Sequence, residues 1–425
     1  MQNDQKPTII SLPAAIAIGI GGMIGAGIFS ILGVVAEAAG SGMWISFLIG
    51  GIVALFSTYS YAKLGAAFPS AGGPVEFLVR GWGKGSISNG FNLFMWIGYI
   101  ISIALYAQGF AGYFLTFFTT NSHPLLLKSA AIGIVILFTA INMLGARSVG
   151  KVELFIVIIK VSILILFAAC GLFYIQPSNL AFSHINSVKD ILYGTGVLFI
   201  GYEGFGLVTN AAANMVDPQK SLPKALYLSV LIVIAIYIAV SVTVLGNLSI
   251  SEIHAASDYA LAEAAKPFLG SLGFSLIAIA ALFSTGSAIN ATLFGGANIC
   301  YMIARDGELP KIATDKVWDN ATGGLLITAL LVICFILFFD LAGVAMMGSG
   351  AFLLIYAAVN AGHLRITQQT GANTVIILFS LLLCLGMFTI LEIYTFQQAP
   401  SAVYTMIILL IGSFASEKIY TRFFK

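Results

Sequence analysis

Long apolar stretches alternate with short polar connections from residue 9 to residue 416. A helix that crosses the hydrocarbon core of a bilayer needs about 20 mostly apolar residues, and the pattern predicts twelve such helices. Their predicted ranges are 9–36, 43–68, 87–118, 125–144, 150–175, 189–214, 222–246, 266–303, 323–339, 341–362, 373–391 and 401–416. The expected fold is therefore an all-α membrane protein with twelve transmembrane helices.

Composition agrees with a membrane environment. Hydrophobic residues make up 59% of the 425-residue chain and charged residues only 8%, against about 25% charged residues in an ordinary soluble domain. The polar first residues, MQNDQKP, lack the basic region of a secretory signal, so we expect no removable signal peptide. The connections 69–84 and 306–319 have room for a short surface helix, but neither is long enough for a second domain.

The positions of the basic residues predict the orientation, because cytoplasmic loops carry an excess of Lys and Arg. If both termini are cytoplasmic, all but four of the nineteen basic residues lie on the inner side. Lys128, Lys189 and Lys266 lie on the outer side, and Lys160 falls inside a helix. We therefore expect a multi-pass protein of the inner or plasma membrane with both termini in the cytoplasm.

Several chemistries have no support in the residues. The four cysteines lie in apolar runs, where cysteine usually behaves as a small hydrophobe, and the four histidines lack the clustered spacing of a zinc site. No phosphate-binding GxxxxGK[ST] loop occurs, and the basic residues form no stripe for nucleic acid. We expect no disulfide, metal, cofactor, nucleic-acid partner or enzymatic activity.

Two glycine-rich runs stand at corresponding places in the two halves of the chain. The first run is GIGGMIGAGIF (residues 19–29), and the second is GTGVLFIGYEGFG (residues 194–206), five crossings later and in the opposite direction. Interrupted helices at matching positions are typical of inverted-repeat transporters. We therefore expect repeats over 9–175 and 189–362, with helices 11 and 12 (373–416) outside them. Alternatively, Gly21 and Gly25, spaced as GxxxG, serve only close helix packing.

Unwound segments of this kind suit a zwitterionic ligand. Amide N–H groups at a half-helix N-terminus attract a carboxylate, and freed carbonyl groups attract an ammonium. The predicted N–H donors are Ala26 and Gly27, with Gly25 beside them. The predicted carbonyl groups belong to Ile24, Phe199, Ile200 and Tyr202, and the side chains of Phe199 and Phe205 would add aromatic surface.

Lys160 lies near the middle of its predicted helix, about 13 Å beyond Lys151 at 1.5 Å per residue. A lysine at that depth is costly and is a functional hypothesis by default, since burial favours its neutral form. The alternative is a permanently charged lysine that ties helices 1, 5 and 8 together. Glu203 is the other buried charge, and it serves either as a cap for freed N–H groups, which we favour, or as a second proton site.

Several segments resemble the amino acid-polyamine-organocation superfamily over nearly the whole chain. They are GGMIGAGIF, GYEGFG followed by NMVDPQKSLPKAL, and MIARDGELP. The lysine in FIVIIKVSIL and the segment LFSTGSAINATLFGGAN are especially similar to ApcT-type, sodium-independent amino-acid transporters.

This resemblance implies a LeuT-type 5+5 inverted repeat with broken helices 1 and 6. It also implies that Lys160 replaces a sodium ion beside the carbonyl groups of Gly21 and Ile24 and the hydroxyl groups of Ser284 and Ser287. Many relatives have acidic residues where Gly206 and Asn214 stand, which disfavours cationic substrates.

The function expected from these features is proton-coupled uptake of a broad range of neutral amino acids by alternating access. An amino-acid sensor or partner subunit without net flux is the alternative from another class. Exchange of cationic amino acids or polyamines is a third hypothesis, which is weaker because Glu203 is the only acidic residue near the expected site.

Overall fold

The computed structural model describes residues 10–25, 27–70, 72–119, 123–144, 149–180, 187–305, 307, 309–318 and 321–424. Nearly all of them are helical. The α-helices are α1 (Leu12–Met23), α2 (Gly27–Ala39), α3 (Met43–Ala67), α4 (Pro74–Trp82), α5 (Ser86–Leu115), α6 (Pro124–Met143), α7 (Val149–Gly171), α8 (Val188–Leu198), α9 (Pro218–Asn247), α10 (Ile250–Ala256), α11 (Ala260–Glu263), α12 (Lys266–Arg305), α13 (Gly323–Phe338), α14 (Leu341–Leu364), α15 (Thr367–Thr370), α16 (Thr374–Gln398) and α17 (Pro400–Phe424).

One long 3₁₀ helix, Phe199–Asn214, follows α8 directly and is called the 3₁₀ segment below. Shorter 3₁₀ turns are Gly40–Gly42, Leu172–Tyr174, Pro177–Leu180, Ser257–Tyr259 and Lys311–Ala313. A small antiparallel hairpin joins β1 (Lys316–Trp318) to β2 (Ala321–Thr322).

Nine stretches of the described residues are long and apolar enough to cross a bilayer. They are Leu12–Ala67, Ser86–Leu115, Pro124–Met143, Leu154–Tyr174, Val188–Asn214, Pro218–Asn247, Lys266–Arg305, Leu341–Leu364 and Thr374–Gln398. Two shorter apolar helices are Gly323–Phe338 and Pro400–Ser416. The chain is thus a helical, multi-pass membrane protein.

The spans divide into a central and a peripheral set. Ser86–Leu115, Val188–Asn214 and Leu341–Leu364 are each 89% buried over their most apolar window, whereas Pro124–Met143 is 22% buried and Thr374–Gln398 28%. Apolar side chains on the peripheral helices face outward, which suits contact with lipid. The centre of the bundle therefore consists of α5, α14, α8 and the 3₁₀ segment, with α1 and α2 packed against them.

The two long connections differ from each other. The connection 69–84 carries α4, which is more than a surface helix because Phe77 and Leu78 are fully buried and Gly81 lies against the backbone of Gly362 on α14. The connection 306–319 contains a 3₁₀ turn and leads into the small hairpin, which the hydrophobic pattern does not predict. Between α9 and α12, α10 and α11 pack against α2.

Candidate functional site

The first glycine-rich run interrupts its helix. After α1 the chain turns at Ile24 and Gly25, and α2 begins at Gly27. Ser284 of α12 holds this turn, since its Oγ lies 2.7 Å from the Ile24 carbonyl oxygen and 2.9 Å from that of Gly25. Ala26, a predicted donor, lies outside the described residues. The two carbonyl groups freed by the turn therefore share a hydroxyl donor from α12.

The second glycine-rich run was expected to contain an unwound segment, but it stays helical. The α-helical winding of α8 passes directly into the 3₁₀ segment. At the change of winding, Ser349 of α14 donates a hydrogen bond to the Val197 carbonyl oxygen (2.6 Å) and accepts one from the Ile200 N–H (2.9 Å). A polar side chain from a neighbouring helix thus satisfies backbone groups that the new winding leaves unpaired.

Glycine spacing in the second run explains the tighter winding. A 3₁₀ helix has three residues per turn, so side chains three positions apart eclipse each other. Gly201 and Gly204 have this spacing and leave one face of the helix bare. Gly22 of α1 and Gly27 of α2 pack on that face.

The two glycine-rich runs lie backbone to backbone. A Cβ atom on Gly204 would stand 2.5 Å from the Met23 nitrogen, and one on Gly27 would stand 2.8 Å from the Gly201 Cα atom. Real Cβ atoms do not approach so closely. Gly27 and Gly204 therefore allow close packing, which places the two runs side by side.

Tyr237 of α9 connects the two runs. Its hydroxyl group lies 2.6 Å from the Met23 carbonyl oxygen and 3.0 Å from that of Gly201. Its ring packs against Tyr202, with ring centroids 5.2 Å apart. The Tyr202 hydroxyl donates in turn to the Phe47 carbonyl oxygen of α3 at 2.8 Å. One tyrosine thus ties both candidate substrate-binding segments to the surrounding helices.

The predicted aromatic surface belongs to a larger buried cluster. Phe199 and Phe205 both pack against Tyr356 of α14, with ring centroids 5.7 Å and 5.1 Å apart. Tyr61 of α3 packs against Phe205 at 5.2 Å and against Tyr356 at 5.3 Å. Aromatic side chains from three elements therefore meet beside the second run.

Lys160 of α7 points into the bundle and is 1% exposed. Its Nζ donates a hydrogen bond to the Gly21 carbonyl oxygen of α1 at 3.0 Å. One turn further along α1, Ser284 binds the carbonyl groups of Ile24 and Gly25. Ser287, on the next turn of α12, is half-buried. The structure thus brings the Lys160 amino group to the Gly21 carbonyl oxygen and the Ser284 hydroxyl group to those of Ile24 and Gly25, all in the first run.

Glu203 is buried in the second run, and its carboxylate faces α5. Oε1 accepts hydrogen bonds from the Tyr106 hydroxyl (2.9 Å) and from Ser102 Oγ (3.3 Å). Among the described residues, the donors to this carboxylate are therefore side chains of α5, whereas the capping role that the sequence favoured would use backbone N–H groups. The Glu203 carbonyl oxygen accepts instead from Tyr356 at 2.7 Å.

Comparison with known proteins identifies the family. The family model described as amino acid permease matches residues 10–415. The chain belongs to the amino acid permease family. The permease is 42% identical to the uncharacterized protein MJ0609 of Methanocaldococcus jannaschii, over 97% of this chain and 95% of that protein. It is 36% identical to the inner membrane transport protein YbaT of Escherichia coli, over 90% of this chain and 89% of that protein.

A more distant relative has a name that includes a substrate. The branched-chain amino acid permease BcaP of Lactococcus lactis is 25% identical to this permease, over 84% of this chain and 82% of that protein.

Most residues predicted for the site of this permease come together. Gly27 lies against Gly201, which adjoins Ile200 and Tyr202, and Phe199 and Phe205 share Tyr356 as a neighbour. Sequence reasoning missed other residues that hold the two runs. They are Tyr237, Ser349, Tyr356, Tyr106 and Ser102. The available signal was a polar or aromatic residue inside an apolar helix, which does not reveal its partner.

Proposed function

We propose that this permease takes up a broad range of neutral amino acids, driven by protons and independent of sodium, through alternating access. The observation that carries this proposal is the side-by-side packing of the two glycine-rich runs, with the Lys160 ammonium on the Gly21 carbonyl oxygen of the first. The relatives named as branched-chain amino acid permeases support a neutral substrate.

The proposed topology has twelve crossings and a LeuT-type 5+5 inverted repeat. If Leu12–Ala67 crosses twice and each shorter apolar helix crosses once, the spans add up to that number. Helices at corresponding positions of the two proposed repeats also pack against each other: α1 with the 3₁₀ segment, α3 with α9, α5 with α12, and α6 with α13. Contacts of this kind are expected where a pseudo-two-fold axis lies in the membrane plane. Both termini are proposed to face the cytoplasm of an inner or plasma membrane.

In the proposed substrate site, the N–H groups of Ala26 and Gly27 bind the carboxylate of the amino acid. Carbonyl groups of Ile24, Phe199, Ile200 and Tyr202 bind its ammonium. Ser284 already donates to the Ile24 carbonyl group, but a carbonyl oxygen has a second lone pair for a ligand. The aromatic rings of Phe199 and Phe205 border the side chain of the substrate. Backbone groups of this kind recognise the carboxylate and the ammonium, which all amino acids share, and so do not select one particular side chain.

The proposed coupling ion is a proton carried by Lys160. Its charged form holds the Gly21 carbonyl group and so fixes α1 against α7. The neutral form donates more weakly and loosens that contact, which shifts the balance between access states. Glu203 is the secondary candidate, because its two hydroxyl donors leave a buried carboxyl without a cation among the described residues.

Reconstitution distinguishes this proposal from its alternatives. The purified permease would be placed in proteoliposomes, and uptake of labelled leucine, alanine, lysine and putrescine compared with binding of the same compounds. We expect uptake of the neutral amino acids. A sensor or partner subunit would bind them without uptake, and a cationic exchanger would take up lysine or putrescine only; either outcome would overturn the proposal.

The site itself is tested by competition. Because backbone groups are proposed to recognise both ends of the zwitterion, leucine amide and isoamylamine, which lack the free carboxylate, should compete at least tenfold more weakly than leucine. A tenfold difference in affinity is about 1.4 kcal/mol, close to the lower end of the roughly 1.5–3 kcal/mol that one hydrogen bond to a charged group contributes. Equal competition by leucine and its amide would contradict the site.

A further inference from the structure

The carboxyl group of Glu392 lies inside a membrane-spanning helix, away from the site described above. It belongs to the last two turns of α16 and is the one acidic or basic residue between Thr374 and Gln398. An ionisable residue within a membrane span is costly and points to a function. In the part of the chain that the structure describes, Glu392 makes no hydrogen bond or ion pair.

Glu392 occupies a groove that exists because its neighbour is a glycine. A Cβ atom on Gly350 of α14 would stand 2.7 Å from Glu392 Oε1 and 2.9 Å from the sulfur of Met406 on α17. The preceding residue, Leu391, is fully buried and packs on Gly196 of α8, where a Cβ atom would stand 2.9 Å from that of Leu391. One turn of α16 therefore touches α14, α17 and α8 together.

Among the side chains that the structure describes, no basic group pairs with this carboxyl group. The Tyr193 hydroxyl of α8 lies at the same end of α16, 3.2 Å from Gln398 Oε1. On α3, Lys63 lies at the other end of α16, where its Nζ donates to the Gly371 carbonyl oxygen. The other titratable groups on the packed elements are Lys189 and Asp190 of α8, Tyr356 and His363 of α14, Cys384 and Tyr394 of α16, Tyr404, Glu417, Lys418, Tyr420 and Arg422 of α17, Tyr59 and Tyr61 of α3, and Glu37 of α2.

The groove is directly connected to the second glycine-rich run. Gly350 follows Ser349, whose hydroxyl group bridges Val197 and Ile200 where the helix changes its winding. Gly348, on the other side of Ser349, lies against the Ile200 side chain. Three consecutive residues of α14 therefore hold the start of the 3₁₀ segment and adjoin the Glu392 carboxyl group.

The charge of the Glu392 carboxyl group affects how closely α14 packs on the start of the 3₁₀ segment. A neutral carboxyl group fits the groove between Gly350 and Met406 at modest cost, whereas an unpaired carboxylate there must be hydrated. Glu392 is partly exposed, and a separation of α14 from α16 would give its carboxylate more room for water. We propose that Glu392 is a further proton-binding site, separate from Lys160 and Glu203, and that losing its proton loosens α14 from the start of the 3₁₀ segment. A role of this proton site in transport rests on the proposed proton coupling. The effect of the Glu392 charge on the packing of α14 does not depend on that proposal.

Hydrogen–deuterium exchange tests this proposal without any substrate. The permease in lipid nanodiscs would be labelled between pH 5 and pH 9, with correction for the intrinsic pH dependence of amide exchange, and peptides covering 341–353 and 194–206 would be followed. In the unaltered protein we expect exchange in these peptides to rise with pH, by up to about tenfold per pH unit once the carboxyl group titrates. Glu392→Gln should stay protected throughout, and Glu392→Asp should regain the pH dependence.

The matched control is Glu252→Gln, which removes an exposed carboxyl group on α10 and should follow the unaltered protein. A flat profile in the unaltered protein would overturn the proposal even if Glu392→Gln does not fold. The same would follow if Glu392→Gln kept the full pH dependence. Failure of leucine uptake would leave this result unchanged, so the two proposals fail separately.

Discussion

At the scale of single residues, Gly27 carries the strongest constraint in the proposed site. A Cβ atom there would stand 2.8 Å from the Gly201 Cα atom and 2.9 Å from its carbonyl oxygen. Gly27→Val should therefore abolish leucine binding, because the branched side chain separates the two runs and fills the space proposed for the carboxylate. Gly27→Ala should weaken binding by a smaller factor.

The measurement is equilibrium binding to protein that elutes as one monodisperse species. Gly133→Val is the control, because a Cβ atom at Gly133 of α6 meets no atom within 4 Å. Unchanged affinity in well-folded Gly27→Val would contradict the assignment of Gly27 to the site.

Ser349 provides a second residue-scale prediction. Ser349→Ala would leave the Val197 carbonyl group and the Ile200 N–H without their partner, and each unsatisfied buried group costs about 1–3 kcal/mol. We expect a clearly lower unfolding midpoint in detergent. Ser413→Ala is the matched control, since Ser413 is also buried but bonds only to Leu409 of its own helix. Equal midpoints for the two variants would show that the bridge does not stabilise the fold.

Individual residues also show where prediction from sequence ends. Lys160 was identifiable as a buried intramembrane charge, because its depth follows from its position along one helix. Tyr237 and Ser349 were not, because their partners lie 214 and 152 residues away along the chain. A local pattern has no information on contacts at such a separation. The hydrogen-bond partners of Glu203 were not identifiable for the same reason, since they lie on α5.

At the scale of elements, the hydrophobic pattern predicted the helices well and their internal winding poorly. The interruption of helix 1 followed from its glycine density, and α1 and α2 are indeed separate helices. The same density in helix 6 led to an expectation of unwinding, but the structure has the 3₁₀ segment. Glycine content alone does not distinguish these outcomes, because both depend on the helix against which the bare face packs.

The connection between α9 and α12 leads to a prediction on pH and stability. Burial, together with the charge of Asp340, raises the pKa of Asp258 above 3.8. The charged form is therefore disfavoured in the folded protein, and the stability associated with the neutral form is lost as pH rises from about 4 through the raised pKa. Asp258→Asn should raise the unfolding midpoint at pH 7 and change it little near pH 4.

Thermal unfolding in detergent at the two pH values checks this expectation. Glu252→Gln is a control whose effect on the unfolding midpoint at pH 7 should have the opposite sign, because hydrogen bonds from Ser249 lower the pKa of Glu252. Equal effects of Asp258→Asn at both pH values would contradict the account of Asp258.

At the scale of the whole molecule, the proposed mechanism predicts that transport does not require sodium. The ammonium of Lys160, bound to the Gly21 carbonyl oxygen, is proposed to take the place and charge of a coupling cation. Replacing sodium by choline at constant pH should therefore leave the rate of leucine uptake into proteoliposomes unchanged. A sharp fall in uptake would reduce Lys160 to a structural tie between α7 and α1.

The most direct test of the central claim is accumulation driven only by a proton gradient. Proteoliposomes with an alkaline interior, in sodium-free buffer, would be given labelled leucine, and the internal concentration followed with and without an uncoupler. The account predicts accumulation above the external concentration that the uncoupler abolishes. It predicts that Lys160→Ala binds leucine but does not accumulate it, while Lys128→Ala, which removes a lysine near the start of α6, behaves like the unaltered protein. Gradient-driven accumulation at the unaltered level in Lys160→Ala would contradict the proposed role of Lys160.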